Sequence, residues 1–432
     1  CIMKKTSAMV AAFSTALAAT FGSSIAVGAQ DAITAQFDIA SSKGTLIVAL
    51  YLIGCSIGPF LYAPIGEIYG RKLAIGGGHS LMLVFAIASA VAPSWNSLLV
   101  FRFFAGMGSA APMTVSAGIV ADIFPKPVTR GYIVSCLMAA TTIGSLVASV
   151  VSLQVMAKWR DSWRICFWIQ TAVTGLSWLT LFTMPETNPD SVFVSGANHN
   201  YTMSISLQRF LLPFRMAFFE PIVFTICMFL SLEYSIFYLF FQLIPPLFIE
   251  LGYVKDQESG LLFVPFIVGT IIACIGYIMI DTPLQRVAAR SMQTLVNAER
   301  RRLPPAYLGG FLIVLSLFLI GYSTARRAHF AYALILEGVF GLGFLLIFIG
   351  LTVYIVDAYQ TLSSSALASS FFIRNIMGAS LPFAEEPMIR NLGGKWSFYI
   401  LGLVSLLLAF VICGFHFYGP WLRKRSPLCQ DS

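Results

Sequence analysis

Long, uninterrupted apolar runs set the pattern of this chain. They fall at residues 8–29, 45–65, 73–92, 97–120, 131–155, 163–184, 218–246, 259–280, 306–324, 329–356, 361–383 and 396–419. Each comes close to the ~20 helical residues needed to cross roughly 30 Å of hydrocarbon. Lipid offers the backbone no water to bond, so only helices or closed barrels can span it. The runs do not alternate, which predicts an all-α integral membrane protein with twelve transmembrane helices. The first run, Ser7–Gly28, is too long for a signal-peptide core and has no clear cleavage site, so it reads as a span. The chain opens on Cys1, and an N-terminal tail is expected to precede it. The longest polar stretches are 185–217 and 281–305. The former separates a six-span half, 1–184, from a second, 218–432. The halves share hydropathy but no visible sequence repeat.

Composition agrees: 58% of the 432 residues are hydrophobic and 11% charged, with a mean hydropathy of +0.82. A soluble domain carries about a quarter charged residues on its wetted surface. The net charge of +8 therefore points to membrane orientation rather than to nucleic acid. Lys4, Lys5, Arg71, Lys72, Arg300, Arg301, Arg302, Arg423, Lys424 and Arg425 fall on one face if spans alternate. That bias predicts a cytosolic N-terminus, a cytosolic C-terminus and an even span count. The sequon Asn200-Tyr201-Thr202 then lies in a cytosolic loop, out of reach of glycosylation. Cys55, Cys136, Cys166, Cys227, Cys274 and Cys413 sit in apolar runs and read as small buried hydrophobes. His79, His329 and His416 stand singly near span ends, where interfacial roles are expected. There is no GxxxxGK[ST] loop, no nucleophile triad and no metal constellation. No enzyme activity, cofactor or metal is expected.

The most specific stretch is Ala63-Pro64-Ile65-Gly66-Glu67-Ile68-Tyr69-Gly70-Arg71-Lys72, where the second span ends. Gly70 permits a tight turn, Arg71 and Lys72 anchor the loop, and Glu67 can pair with a cation or a helix N-terminus. Span four carries Arg102-x-x-x-Gly106-x-Gly108-x-Ala110, followed by Asp122 and Arg130-Gly131. Arg102, Gly106 and Ala110 share one face, and the small residues allow close packing below a buried cation. Further on come Trp163-Arg164, Met184-Pro185-Glu186-Thr187, Glu220-Pro221, Tyr354-x-x-Asp357 and Leu392-Gly393-Gly394-Lys395-Trp396.

Together these resemble the major facilitator superfamily, and within it the fungal twelve-span drug:proton antiporters. The resemblance implies two six-helix bundles, a central cavity, alternating access and proton-coupled export. It further implies that Glu67, Gly70, Arg71, Lys72, Asp122 and Arg130 form a conformational gate, tying the bundles together on the cytosolic side. Three features depart from the pattern. The span-five motif, roughly Gly-Pro-x-x-Gly-Gly, is reduced to Gly144-Ser145-Leu146-Val147-Ala148-Ser149, which bears on antiport direction. Gln242 stands where many relatives carry an acid and Glu233 where an apolar residue is expected, and the usual long cytosolic tail is absent.

Four charges lie within spans: Arg102, Glu233, Glu337 and Arg374. Such groups are costly in lipid and default to functional candidates. At about 1.5 Å per residue all four reach the outer half of the bilayer, where two cations and two acids can neutralise one another. They are either static salt bridges or proton-exchanging sites, and analogy favours Arg102 with Glu337. Span seven sets Tyr234, Phe237, Tyr238 and Phe241 along one stripe. That stripe is either packing filler or a wall for a flat or cationic substrate. Tyr234, Tyr238, Phe241, Gln242 and Asn375 are the cavity candidates. The expected function is proton-coupled export of small amphipathic molecules by a plasma-membrane monomer, with protons and the bilayer as further partners and no nucleic acid. An importer or a ligand sensor on the same fold is the alternative.

Overall fold

The computed structural model describes residues 2–124, 127–159, 162–188, 212–250, 252, 256–290, 303–326, 329–359 and 363–425. The described residues form twelve long helices. They are α1 (Ile2–Ser24), α2 (Leu46–Ile68), α3 (Arg71–Ala90), α4 (Trp95–Ile123), α5 (Pro127–Lys158) and α6 (Arg164–Thr183). The second six are α7 (Pro221–Glu250), α8 (Val264–Arg290), α9 (Pro304–Arg326), α10 (Phe330–Ala358), α11 (Ser363–Ser380) and α12 (Glu385–Arg425). By length and hydropathy these amount to eleven spanning segments, because the last, 365–414, is one continuous helical run through α11 and α12. A short 3₁₀ turn at Leu381–Ala384 separates the two, and α12 itself breaks at Gly393, whose φ is +74°. The expected linker lies mostly outside the described residues, as does Asn200. Residues 212–219 within its last part and the run-on to α7 are helical, and α8 continues to Arg290 into the second polar stretch.

Two six-helix bundles emerge from the packing, and their pairings repeat with a shift of six helices. In the first, α2 packs on α4, α3 on α4, α3 on α6 and α1 on α5. In the second, α8 packs on α10, α9 on α10, α9 on α12 and α7 on α11. Between bundles, α2 meets α11 and α5 meets α8, again partners under the same shift. The hydropathy symmetry thus becomes a structural two-fold.

Small residues let the backbones touch, as lipid-embedded helices without a hydrophobic drive require. A Cβ on Gly106 would stand 2.0 Å from the Tyr51 carbonyl oxygen, and one on Gly54 would stand 2.1 Å from that of Phe103. The matching crossing in the second bundle uses Gly269, whose Cβ would stand 1.9 Å from the Gly338 carbonyl oxygen. The small-residue stripe read from α4 is therefore the α2–α4 interface.

At the first end of α1 the span is shorter on its far side than the hydropathy run. The helix stops at Ser24 and the chain turns against α5, where Gly28 N–H donates to Ser152 Oγ at 3.1 Å. His79 is no interfacial residue: it is fully buried, its Nε2 2.7 Å from Ser177 Oγ of α6. Of the apolar cysteines, Cys136 of α5 and Cys274 of α8 face each other across the bundle boundary, their sulfurs 4.0 Å apart.

That pair offers a test of the α5–α8 seam. With a protease site inserted between the halves, mild copper-phenanthroline oxidation should keep the cleaved halves together on a non-reducing gel. Cys136→Ser or Cys274→Ser should abolish the link. Cleaved wild-type halves that separate after oxidation would refute this seam.

Candidate functional site

A cavity of roughly 1200 Å³, counted to its open mouth, lies between the bundles. Its mouth is on the face where α2 ends and α3 begins, at Glu67, Arg71 and Arg130. Its walls come from α2, α4 and α5 on one side and from α10 and α11 on the other, and it reaches inward to Phe371 and Arg374. Above that point a small chamber is lined by Ser23, Tyr51, Cys55, Tyr234, Tyr238 and Asn375. Tyr234 OH stands 3.5 Å from Asn375 Oδ1 and 3.4 Å from Tyr238 OH.

The opposite side is closed by contacts between bundles. Tyr238 OH of α7 and Ser23 Oγ of α1 share a hydrogen bond of 2.7 Å, fully buried. Farther out, Thr45 at the start of α2 donates to Gln242 Oε1 at 3.2 Å. The 3₁₀ segment Asp256–Phe263 lies on α5, and Gly260 brings the backbones close, since a Cβ there would meet the Val150 carbonyl oxygen at 2.8 Å. Beyond this seal lies a more open vestibule containing Phe241, Gln242, Asp31, Glu385 and Glu386. The five cavity candidates are thus split. Tyr234, Tyr238 and Asn375 face the central chamber, whereas Phe241 and Gln242 belong to the far side of the seal.

The four buried charges do not pair with one another. Arg102 donates to the carbonyls of Ile47 (3.1 Å), Gly22 (3.0 Å) and Ser23 (3.3 Å) and to Gln170 Oε1 (3.3 Å). Gly22 and Ser23 end α1, so the cation also sits at the negative end of that helix dipole. Its guanidinium lies 4.5 Å from the Tyr51 ring centre. The expected partner, Glu337, is elsewhere: carbonyls and Gln170 of its own bundle take four of the five N–H groups of Arg102. Glu337 and Glu233 are both fully buried, and neither carboxylate makes a hydrogen bond among the described residues, though Ser405 of α12 lies beside Glu233. Arg374 is caged by rings, 4.3 Å from the Phe371 centre, 4.6 Å from Tyr234 and 5.3 Å from Phe348. One ring of the α7 stripe, Tyr234, therefore already faces the protein's own cation.

The loop signature closes on itself. Gly70 adopts φ +110°, a value L side chains rarely take, and a Cβ there would stand 2.5 Å from Glu186 Oε2. That carboxylate accepts from Arg71 N–H (2.8 Å) and Lys72 N–H (3.1 Å), capping α3 from the segment after α6. Arg71 Nε then pairs with Asp122 Oδ2 at 3.2 Å, its guanidinium seated over Gly118. Asn188 Nδ2 donates to the Glu67 carbonyl at 2.9 Å. Every one of these contacts lies within the first bundle and its trailing segment. In this conformation these contacts form a rim at the mouth of the cavity.

A sequence profile of the Major Facilitator Superfamily matches residues 11–382. The chain belongs to that superfamily. It is a multi-pass membrane transporter and not an enzyme. An MFS-type transporter of Penicillium crustosum (traF) is 29% identical over 419 residues, covering 94% of this chain and 86% of that protein. An efflux pump of Gibberella moniliformis (FUB11) is 28% identical, covering 96% and 73%. Among solved structures, the proton:xylose symporter XylE bound to a bromo-deoxyglucose superposes with a TM-score of 0.71 at 16% identity, covering 95% and 96%. At that identity the likeness shows the major facilitator fold alone.

In this transporter, Glu186 and Gln170 are the site residues that sequence reasoning passed over. Glu186 had a signal: Pro185-Glu186-Thr187 follows an even-numbered span, so it emerges on the same face as the α2–α3 loop. Gln170 had none, being one polar residue within an apolar run. Removing the remote cap should be measurable. Glu186→Ala leaves two helix N–H groups unbonded and should cost about 1–2 kcal/mol, read as a melting temperature lowered by a few degrees in detergent. Glu186→Gln, which keeps the acceptors, should recover part of the loss, and an unchanged melting temperature in both variants would refute the cap.

Proposed function

We propose that this chain exports small amphipathic organic molecules from a fungal cell across the plasma membrane, coupled to proton entry, with both termini cytosolic. The observation that carries the reading is the single-sided cavity. It opens on the face bearing the basic loop residues, the cytosolic face by charge bias, and is sealed on the other by Ser23–Tyr238 and Thr45–Gln242. Two bundles meeting along the α2–α11 and α5–α8 seams can rock about a fixed central site, the general route to alternating access. Opening the far side then requires that the α1–α7 and α2–α7 contacts and the packing of Asp256–Phe263 on α5 break. The mouth residues Glu67, Gly70, Arg71, Lys72, Asp122 and Arg130 would meet the second bundle in that opposite state. The printed names of several relatives, efflux pump and multidrug transporter among them, favour export.

Proton coupling rests on Glu233 and Glu337. A carboxyl buried without a counter-charge exchanges its proton when its access to water changes, which is what rocking supplies. Arg102, with four hydrogen bonds to three carbonyls and Gln170, serves as a lock of the first bundle. The reading of import has one support, the loss of the kinking proline from the α5 motif. There Gly144 packs flush on α1, with a Cβ position 2.5 Å from Thr20 Oγ1.

Inside-out vesicles with an imposed pH gradient separate these readings. Dye accumulation in such vesicles, driven by an acid interior, corresponds to export. Glu337→Gln or Glu233→Gln should reduce that accumulation by roughly tenfold or more, the cost of losing an essential proton-transfer group. Wild-type, gradient-dependent accumulation in both variants would remove the proton-carrier role, and net loss of dye under the same gradient would point to import.

A further inference from the structure

Among the described residues two arginines are buried, and they differ in their partners. Arg102 is fully buried and spends its guanidinium on three carbonyls and an amide. Arg374, 6% exposed, makes no hydrogen bond or ion pair among the described residues, and its Nε is buried without an acceptor. Rings of Tyr234, Phe348 and Phe371 flank it, which stabilises a cation but gives its N–H groups nothing to donate to. A buried charge without a hydrogen-bonded partner is costly. This one lies on the wall of the central cavity.

Among the described residues lining that cavity, Arg71, Arg130 and Arg374 are basic and Glu67, at the mouth, is acidic. Arg71 is paired with Asp122, which leaves Arg130 and Arg374 against Glu67 and a basic excess. The vestibule beyond the seal has the reverse balance: Asp31, Glu385 and Glu386 line it, with no basic residue among its lining. A cationic substrate would have to approach Arg374 in a low-dielectric pocket whose aromatic faces are already occupied. An anionic one would be drawn in at the basic mouth, fixed at depth and repelled from the acidic exit.

We infer that Arg374 is the anchor for an organic anion, and that this transporter's substrates are amphipathic carboxylic acids. The carboxylate takes the planar guanidinium fork, for which it is the matching acceptor. The apolar body lies against Met113, Val134, Met138 and Phe371, which line the same cavity. Asn375 holds its place in the chamber by donating to the Phe371 carbonyl at 2.7 Å, and its Oδ1 steadies Tyr234. The asymmetry between mouth and vestibule makes the inward-facing site the tighter one. This inference rests on the central cavity being the substrate path of the proposed exporter.

The test uses two dyes with one xanthene body and opposite charge, fluorescein with a free carboxylate and rhodamine 6G with that carboxylate esterified. Binding to the purified full chain is read by fluorescence anisotropy. Fluorescein should bind wild type more tightly than rhodamine 6G does. Arg374→Gln should weaken fluorescein by roughly tenfold to a hundredfold, as for the loss of one partner of a buried charge pair, and leave rhodamine 6G equal or tighter. Arg374→Lys should fall between, keeping the charge and losing the fork. In wild type alone, benzoate should displace fluorescein and benzylammonium should not, which decides the matter even if Arg374→Gln does not fold. Failure of wild type to bind fluorescein, a preference for rhodamine 6G, or displacement by benzylammonium as readily as by benzoate would each overturn the inference. Vesicle flux is read separately. Charge-selective binding without flux leaves the Arg374 site standing and removes the transport reading, whereas flux of rhodamine 6G alone does the opposite.

Discussion

One buried hydrogen bond, Ser23 Oγ to Tyr238 OH at 2.7 Å, sets the state in which the rest of this molecule is arranged. It joins α1 to α7, the leading helices of the two bundles, between two buried hydroxyls. Broken, it would leave Tyr238 with only the 3.4 Å contact to Tyr234, while Ser23 keeps its 2.6 Å bond to the Thr20 carbonyl, at a cost of about 1–3 kcal/mol. Made, it ends the central cavity on one side and assigns each α7 side chain to a compartment. Tyr234 falls on the cavity side and Gln242 on the vestibule side, although they are only two helical turns apart. The contact is local enough to be exchanged for its opposite at a modest cost, as an alternating-access device requires.

The buried charges follow from the same constraint of a waterless interior, yet reach different solutions. Arg102 finds carbonyls because α1 ends beside it, and a helix C-terminus is a cluster of unpaired acceptors. It becomes part of the scaffold. Arg374 sits mid-helix on α11, where every neighbouring carbonyl is already bonded within its own helix, so only ring faces remain. Glu233 and Glu337 lie on other helices of the second bundle, away from both cations. A structure that wanted only stability would have paired these four. Their separation leaves Glu233, Glu337 and Arg374 without an ion-pair partner among the described residues.

The mouth illustrates how charge serves shape. Glu186 caps α3 across the Gly70 turn, and Arg71 is thereby aimed along Gly118 toward Asp122. Gly70 serves both needs, its φ of +110° for the turn and its missing Cβ for the carboxylate. The motif reads in sequence as a charged loop, and in space it is a small rigid rim.

Hydropathy alone was enough to determine twelve helices, their division six and six, and the absence of a soluble domain, because the bilayer imposes length and composition on every span. The loop motif and the small residues of α4 were legible for a similar reason: a tight turn and a close helix crossing each demand particular residues at particular places. What the sequence could not determine was anything that depends on which helix faces which. The two-fold repetition of the packing is carried by backbone geometry, since Gly54 with Gly106 and Gly269 with Gly338 make equivalent crossings from dissimilar surroundings. The pairing of Arg102 with Glu337 came from analogy, and in the structure carbonyls of its own bundle hold Arg102 instead, since charges at one depth can sit on separate faces. The partition of Tyr234, Asn375, Phe241 and Gln242 was invisible because a seal is a relation between bundles, and Ser23 and Tyr238 are 215 residues apart in the chain.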